Sequence, residues 1–410
     1  MISVDEAREA ILGRAPTLPA ERVPLAGGLS RVLREPVVAD REFPPFHRAA
    51  MDGFAVRSAD ASQPFARLKV VSEVRAGVWP DRAVGPGEAV RIMTGAPVPE
   101  GADAVIQVER TSLAETGPSG YPEVTLETPV TAGQNIVPRG SEALAGAVLL
   151  LPGLRITAAH LAVLASVGAS PPSVGRAPRV AVIITGDEVI EPSAHPTAAQ
   201  IRNANGPALV AAIHESGGLA TEYDIVSDDF EATRRTIERA MGESHNAILL
   251  SGGVSAGAFD FVETALSSLG VTLHVTAVRV KPGAPLVFGT RGDTLIFGLP
   301  GNPVSAQVTF ELFVRPALLK MQGATQIQRP TFEGVLEAPV SNRSGRKNFL
   351  PAFACWQDGS FRVAPVRTQG SGDIVAHARA NALIILEPDR THAARGDVVP
   401  LYPLSSLLEN

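Results

Sequence analysis

Two apolar runs, each ending in a loop of glycine and acidic residues, constrain this chain more than any other part of it. The first, R-V-A-V-I-I-T-G-D-E, ends in Thr185, Gly186, Asp187 and Glu188. The second, A-I-L-L-S-G-G-V-S-A-G-A-F-D, runs from Ala247 to Asp260 and carries Gly252, Gly253 and Ser255. A short β-branched run that ends in small residues and then opens a helix reads as a strand–loop–helix unit of a parallel sheet. Around these units, strands are expected at Val180–Ile184, Glu222–Val226, Ile248–Leu250, Leu273–Val280 and Leu295–Gly298. Helices are expected at Pro207–Glu215, Asp229–Met241, Phe261–Leu269 and Pro303–Met321. That alternation is a doubly wound α/β pattern. Such sheets bind ligands outside the carboxyl ends of their strands, where helix N-termini favour anions.

The flanking regions have a different texture. Ser3, with Glu6 three residues on, is a capping box that starts an N-terminal helix. A strand is expected over Arg31–Val38. From Phe43, proline and glycine punctuate short strands at Leu68–Glu73, Ala89–Met93, Ala104–Glu109 and Val124–Glu127, a β-rich region that lasts to about Pro138. A glycine-spaced stretch, Arg139–Pro152, and a helix at Thr157–Val167 follow. Pro171, Pro172 and Pro178 read as a linker. After Pro330 come short strand signals and almost no helix signal, which suits a small β-barrel or sandwich.

Acidic residues outnumber basic ones, 42 to 36, giving a net charge of -6. That argues against nucleic acid as the main partner, since phosphate backbones recruit basic patches. A single cysteine, Cys355, excludes an internal disulfide framework and a thiolate cluster. No apolar run approaches membrane-spanning length, and no basic segment followed by an apolar one opens the chain. A cytoplasmic protein without a membrane partner is the expectation.

Asp187, Glu188, Asp228 and Asp260 all fall at or just beyond expected strand ends of one sheet. For each alone, helix capping is the simpler reading: Asp228 and Asp260 directly precede expected helices. Four acids in one crevice repel one another unless a cation compensates them. Gly252 and Gly253 suit close approach to a phosphate or ring system, although the loop is neither a Walker loop nor a dinucleotide fingerprint. The turn Pro300-Gly301-Asn302-Pro303 joins a strand to a helix, with Ser305 in its first turn facing an anion. Lys281 is either an anion ligand or a solvated strand-end lysine. Asp52-Gly53 and Thr94-Gly95 read as turns.

Together these strings resemble the MoeA / gephyrin E-domain family, the molybdopterin molybdenumtransferases. The matching pieces are A-M-D-G-F-A, I-M-T-G-A-P-V-P-E-G-A-D-A-V, G-Q-N-I-V-P-R-G-S-E, T-G-D-E, S-G-G-V-S-A-G-A-F-D, V-K-P-G and F-G-L-P-G-N-P-V-S-A, in the family's order over almost the whole chain. The resemblance implies four domains. A discontinuous elongated one takes residues 1–42 and 139–177, with a β-rich domain inserted at 43–138. An α/β molybdopterin-binding domain follows at 178–328, and a C-terminal β-barrel at 329–410. It also implies a homodimer and, as a further partner, an adenylyltransferase. The implied reaction inserts molybdate into adenylylated molybdopterin, with Mg2+ required and AMP released.

Carried over by position, the resemblance puts Asp187, Glu188, Asp228 and Asp260 around the metal, with Thr185 and Gly186 beside them. Gly252, Gly253 and Ser255 fall in the pterin loop. Lys281, Pro285, Ser305, Arg346 and Ser371 fall in the molybdate pocket, next to Pro300, Gly301 and Asn302. Asp52, Thr94 and Glu142 would be supplied by the partner's inserted domain. Three departures stand out: Ala284 where the family often has lysine, Val137 where arginine is frequent, and Phe54 in place of tyrosine. Losing a charge-assisted bond costs about 1.5–3 kcal/mol, roughly tenfold or more in affinity. A paralogue with weakened catalysis, acting as a molybdopterin-binding or scaffold protein, is therefore the alternative.

Overall fold

The computed structural model describes residues 1–114, 122–253 and 262–404, so Ser255 and Asp260 lie outside the described residues. The chain divides into two compact units: Met1–Glu35, Pro152–Leu161 and Pro171–Asn410 form the first, Pro36–Leu151 and Ala162–Ser170 the second.

The first unit opens with the expected capping box. The Glu6 N–H donates to Ser3 Oγ at 3.1 Å, the Ser3 N–H donates to Glu6 Oε2 at 2.7 Å, and the helix Val4–Leu12 follows. Its central sheet places Arg179–Ile184 between Leu219–Glu222 and Ala247–Ser251, with Thr294–Leu299 beyond, all parallel. Every residue of Ala247–Ser251 is buried, as a strand covered on both faces must be. Val180, Val182 and Leu249 face one core, shared with the helices Val4–Leu12, Asn205–Glu215 and Pro303–Thr309. Ala181, Ile183 and Leu250 face the other, shared with Phe230–Gly242 and Val262–Ser268.

Several expectations are corrected here. The strand expected at Glu222–Val226 is Leu219–Glu222, because Gly217, at φ +79°, turns the chain from the preceding helix straight into the sheet. The strand expected over Leu273–Val280 stops at Val275, and Val280–Lys281 instead pairs with Lys347–Gln357. A strand that sequence reasoning missed, Val287–Arg291, forms a hairpin with Thr294–Leu299 and leaves the sheet edge antiparallel. The helix expected over Pro303–Met321 has a wide π turn at Phe310–Val314, where Pro316 offers no N–H to the preceding turn. Within Arg31–Val38 only Val37–Val38 is a strand, because Pro36 interrupts the run.

The C-terminal segment of the same unit is a closed barrel. Lys347–Gln357, Ser360–Pro365, Phe332–Leu336, Val398–Pro403 and Ala382–Leu386 pair in that order, and the last returns to the first. A short helix, Ile374–Ala378, sits in one of its connections.

The second unit is built on a six-stranded sheet in the order Ala104–Gln107, Gly53–Val56, Glu88–Ile92, Ala66–Val74, Glu123–Leu126, Thr111–Ala114. Alternate residues feed two cores: Phe54 and Val56 on one face, Ala55 and Val90 on the other.

Candidate active site

Three strands of the α/β sheet deliver the glycine loops to one place. Thr185 follows Arg179–Ile184, Gly252 follows Ala247–Ser251 and Pro300 follows Thr294–Leu299. They surround a cavity of about 420 Å3, together with Gly186, Glu188, Asp228, Gly253, Pro285, Gly301 and Asn302. Gly252 has φ +106°, and a Cβ there would lie 2.4 Å from the Thr185 carbonyl oxygen, so only glycine fits. Two residues that sequence reasoning missed hold the loops together. Asn205 Nδ2 donates to Ser251 Oγ and to the Gly301 carbonyl, each at 2.8 Å, and Ser251 Oγ donates to the Pro300 carbonyl at 3.2 Å. The N-A-N-G string, Asn203 to Gly206, at the start of the helix Asn205–Glu215 was the available signal. Thr185 Oγ1 is enclosed and has no hydrogen-bond partner among the described residues.

The acids divide by role. Asp229, not Asp228, caps the helix Phe230–Gly242, accepting from the Ala232 N–H at 2.8 Å. Asp228 instead stands on the cavity wall, its Oδ2 accepting from the Asp187 N–H at 3.4 Å. Asp187 Oδ1 accepts from the Asp228 N–H at 3.1 Å and is not on the cavity wall, so it positions its neighbour. Burial, with the Asp187 and Glu188 charges nearby, pushes the Asp228 carboxyl above its ordinary range. Among the described residues no cluster of three or more histidine, cysteine, aspartate or glutamate side chains has metal-holding geometry. Glu188 and Asp228 fit Mg2+ in its usual protein mode, with one or two carboxylates and the remaining ligands from water and substrate phosphate.

A second cavity of about 400 Å3 shares Pro285, Pro300 and Asn302 with the first. Lys281, Ser305, Arg346 and Ser371 line it. These residues come from four remote segments. Pairing of Val280–Lys281 with Lys347–Gln357 sets Lys281 in register with Asn348, two residues from Arg346. Asn302 Nδ2 donates to Ser371 Oγ at 2.9 Å, and the Val304 N–H donates to the Ser371 carbonyl at 3.1 Å. Gly283, at φ +102°, passes so close to the helix that a Cβ would meet Thr309 Cγ2 at 2.4 Å. Asn348, Thr368 and His377 also line this cavity and were not foreseen. No sequence motif marks them.

In the second unit the Thr94 N–H and Oγ1 both donate to Asp52 Oδ1 at 2.6 Å. These bonds hold the Asp52 carboxyl below its ordinary range. Glu142 pairs with Arg48 at 3.0 Å. Asp52, Thr94 and Glu142 line neither cavity.

Three family models match: the MoeA N-terminal region (domain I and II) over residues 2–168, a probable molybdopterin binding domain over 181–320, and the MoeA C-terminal region (domain IV) over 333–404. A molybdopterin molybdenumtransferase of Staphylococcus aureus (strain MRSA252) is 34% identical over 94% of this chain and 91% of its own length. One from Bacillus subtilis (strain 168) is 33% identical over 94% and 90%. The chain belongs to the MoeA family of molybdopterin molybdenumtransferases. A crystal structure of the molybdopterin biosynthesis MoeA protein from Pyrococcus horikoshii OT3 matches with TM-score 0.81 and 29% identity, over 98% of this chain and 100% of that one.

The departures from the MoeA pattern now have locations. Ala284 lies on the wall of the Lys281 cavity, so the position the family often gives to lysine faces that space. Lys347 does not substitute for it, being paired with Glu387 at 2.8 Å and absent from the cavity wall. Phe54 is 1% exposed in the core of the second unit. Val137 pairs with Arg48 in a short two-stranded ladder.

Proposed function

We infer that this chain is a molybdopterin molybdenumtransferase of molybdenum cofactor biosynthesis. The observation that carries this reading is the pair of adjoining cavities. One is lined by glycine loops and carboxylates, the other by Lys281, Arg346 and hydroxyls, in a chain whose relatives bear that name. In finer detail, adenylylated molybdopterin occupies the first cavity, its pterin and phosphates against Gly252, Gly253, Ser255 and Thr185. Molybdate occupies the second, where Lys and Arg donors suit a dianion. Glu188 and Asp228, with Asp260, hold Mg2+ when it is bound, and the ion supplies charge neutralisation at the phosphates. Insertion then releases AMP.

The four-domain division, a homodimer and a cytoplasmic setting belong to the same reading, as does contact with an adenylyltransferase partner. Asp52, Thr94 and Glu142 then serve the partner subunit's site. The decisive experiment supplies adenylylated molybdopterin, molybdate and Mg2+ and measures AMP release together with reconstitution of a molybdenum enzyme. Mixed dimers of Asp52→Ala and Glu188→Ala chains should regain part of the activity, and none in a verified heterodimer overturns the shared site. Ala284 on the anion wall favours a second reading, a molybdopterin-binding protein with weakened insertion. Pterin binding without molybdate-dependent AMP release would establish that one.

A further inference from the structure

Two side chains on the wall of the Lys281 cavity have no part in the account above. Asn348 sits on the barrel strand Lys347–Gln357 in register with Lys281. His377 sits on the helix Ile374–Ala378, which Asp373 caps. Asn348 is 2% exposed and His377 7%. Asn348 Oδ1 and His377 Nδ1 are enclosed and have no hydrogen-bond partner among the described residues. Buried polar groups nearly always find partners, and leaving them unmade is costly. Both residues line one wall with Lys281, Arg346 and Asp373, His377 also bordering the space that holds Glu311, and two such orphans there point to a ligand that completes them.

Their chemistry names its class. With no protein partner fixing the Asn348 amide, either end can face the cavity, so its NH2 is available as a donor. Burial lowers the His377 pKa against the opposing pull of Glu311, and a neutral imidazole carries one N–H. A tetrahedral oxyanion accepts hydrogen bonds through every oxygen. Neutral donors add direction to its binding without adding further like charges beside Lys281 and Arg346.

We propose that Asn348 and His377 are specificity-determining residues, neutral N–H donors that bind the oxyanion alongside Lys281 and Arg346. This rests on reading the cavity as the molybdate site. Where Ala284 has removed a cation, these donors carry part of its load.

The test uses the full chain without pterin. Molybdate, tungstate and phosphate are titrated calorimetrically, and the anion-dependent rise in Tm is recorded in parallel. Asn348→Leu and His377→Leu should each weaken molybdate binding roughly tenfold. His377→Gln, which keeps a donor, should stay within about threefold of the parent. Asn348→Asp puts an acceptor-only group against the anion and should weaken molybdate more than Asn348→Leu does. Without anion, Asn348→Leu should melt at the parent temperature or above, because it removes an unsatisfied buried group.

Leucine variants that bind molybdate as tightly as the parent overturn the proposal. So does a loss of binding that merely follows a loss of folded protein in both leucine variants while Asn348→Asp and His377→Gln bind normally. If the parent binds molybdate through Lys281 but not through Asn348 and His377, the inference alone fails. If the parent binds no oxyanion and Lys281→Ala changes nothing, the anion reading of the cavity fails with it.

Discussion

The cavity under the glycine loops and the cavity beside Lys281 share Pro285, Pro300 and Asn302, yet acids predominate in the first and cations in the second. The first presents Glu188, Asp228 and backbone at the ends of three parallel strands, with Arg202 also on its wall. The second presents Lys281 and Arg346, brought together by the pairing of Val280–Lys281 with the barrel strand Lys347–Gln357, with Asp373 on the same wall. A ligand with phosphates bridged by a cation suits one, and a bare dianion suits the other. Keeping the signs apart matters because a cation drawn to Asp228 would otherwise compete with Lys281 for the oxyanion. Asp373 does stand on the anion pocket's wall, but its carboxylate oxygens already accept from the Gln369 and Ala376 N–H groups.

If this sorting of charge is real, the two cavities respond independently to mutation. The largest expected effect is Lys281→Ala. It removes a charge-assisted contact worth about 1.5–3 kcal/mol, which is roughly 10- to 100-fold in half-saturating molybdate. The Mg2+ dependence of AMP release should stay unchanged. Asp228→Asn is the mirror image, raising half-saturating Mg2+ roughly tenfold while leaving molybdate dependence alone. Titrating AMP release against each ion in both variants gives a two-by-two comparison. Equal shifts in both ions for either variant would break the distinction between the cavities. Melting curves guard against trivial unfolding, since a site residue away from the core should change stability by about 1 kcal/mol or less.

The same contrast explains what the sequence made legible. The first cavity follows from local patterns: a β-branched run, a glycine at a strand end, an acid after it. Each cue lies within ten residues of the strand that positions it, so periodicity and spacing single out Thr185, Gly252 and Glu188, whereas for Asp228 alone they favour a helix cap. Asn205 was overlooked because its cue, an asparagine before a helix, reads as an ordinary turn. The second cavity offers no such locality. Lys281 meets Asn348 only because Val280–Lys281 leaves the α/β sheet to pair with the barrel, and that crossing was read as a continuation of Leu273–Val280. Pro285, Arg346 and Ser371 came from family resemblance, not from any pattern in their neighbourhood. Asn348 and His377 came from neither, since a buried asparagine on a barrel strand looks like any other until its missing partners are seen. The hairpin Val287–Arg291 was missed for a simpler reason: its glycine and its Arg-Gly-Asp turn made a strand resemble a loop.

A smaller effect is expected at Ala284. A lysine there would put a second ammonium on the anion wall, where charge complementarity tightens binding but the new side chain also loses rotamer freedom. The net gain should be about threefold to tenfold in half-saturating molybdate, below the full value of a charged hydrogen bond. An unchanged value for Ala284→Lys would show that its ammonium escapes to solvent, and that the neutral donors already saturate the anion.

The smallest effect concerns acid stability, and it separates the cavities by the sign of their shifted groups. Burial raises the Asp228 pKa and lowers that of His377, so both are moved toward the neutral form. For His377, a folded-state pKa below the unfolded value means that the unfolded chain binds the proton more readily. Its contribution to stability is therefore fully present above the unfolded value and is lost as pH falls through about 6.5 toward the folded pKa. Unfolding measured by denaturant between about pH 7 and pH 5 should show this loss in the parent and a flatter profile in His377→Gln. Saturating molybdate should flatten the parent's profile too, because a bound dianion adds to the Glu311 charge that already favours the imidazolium. Molybdate that leaves the slope untouched would place His377 out of the anion's reach and return the whole burden of binding to the two cations.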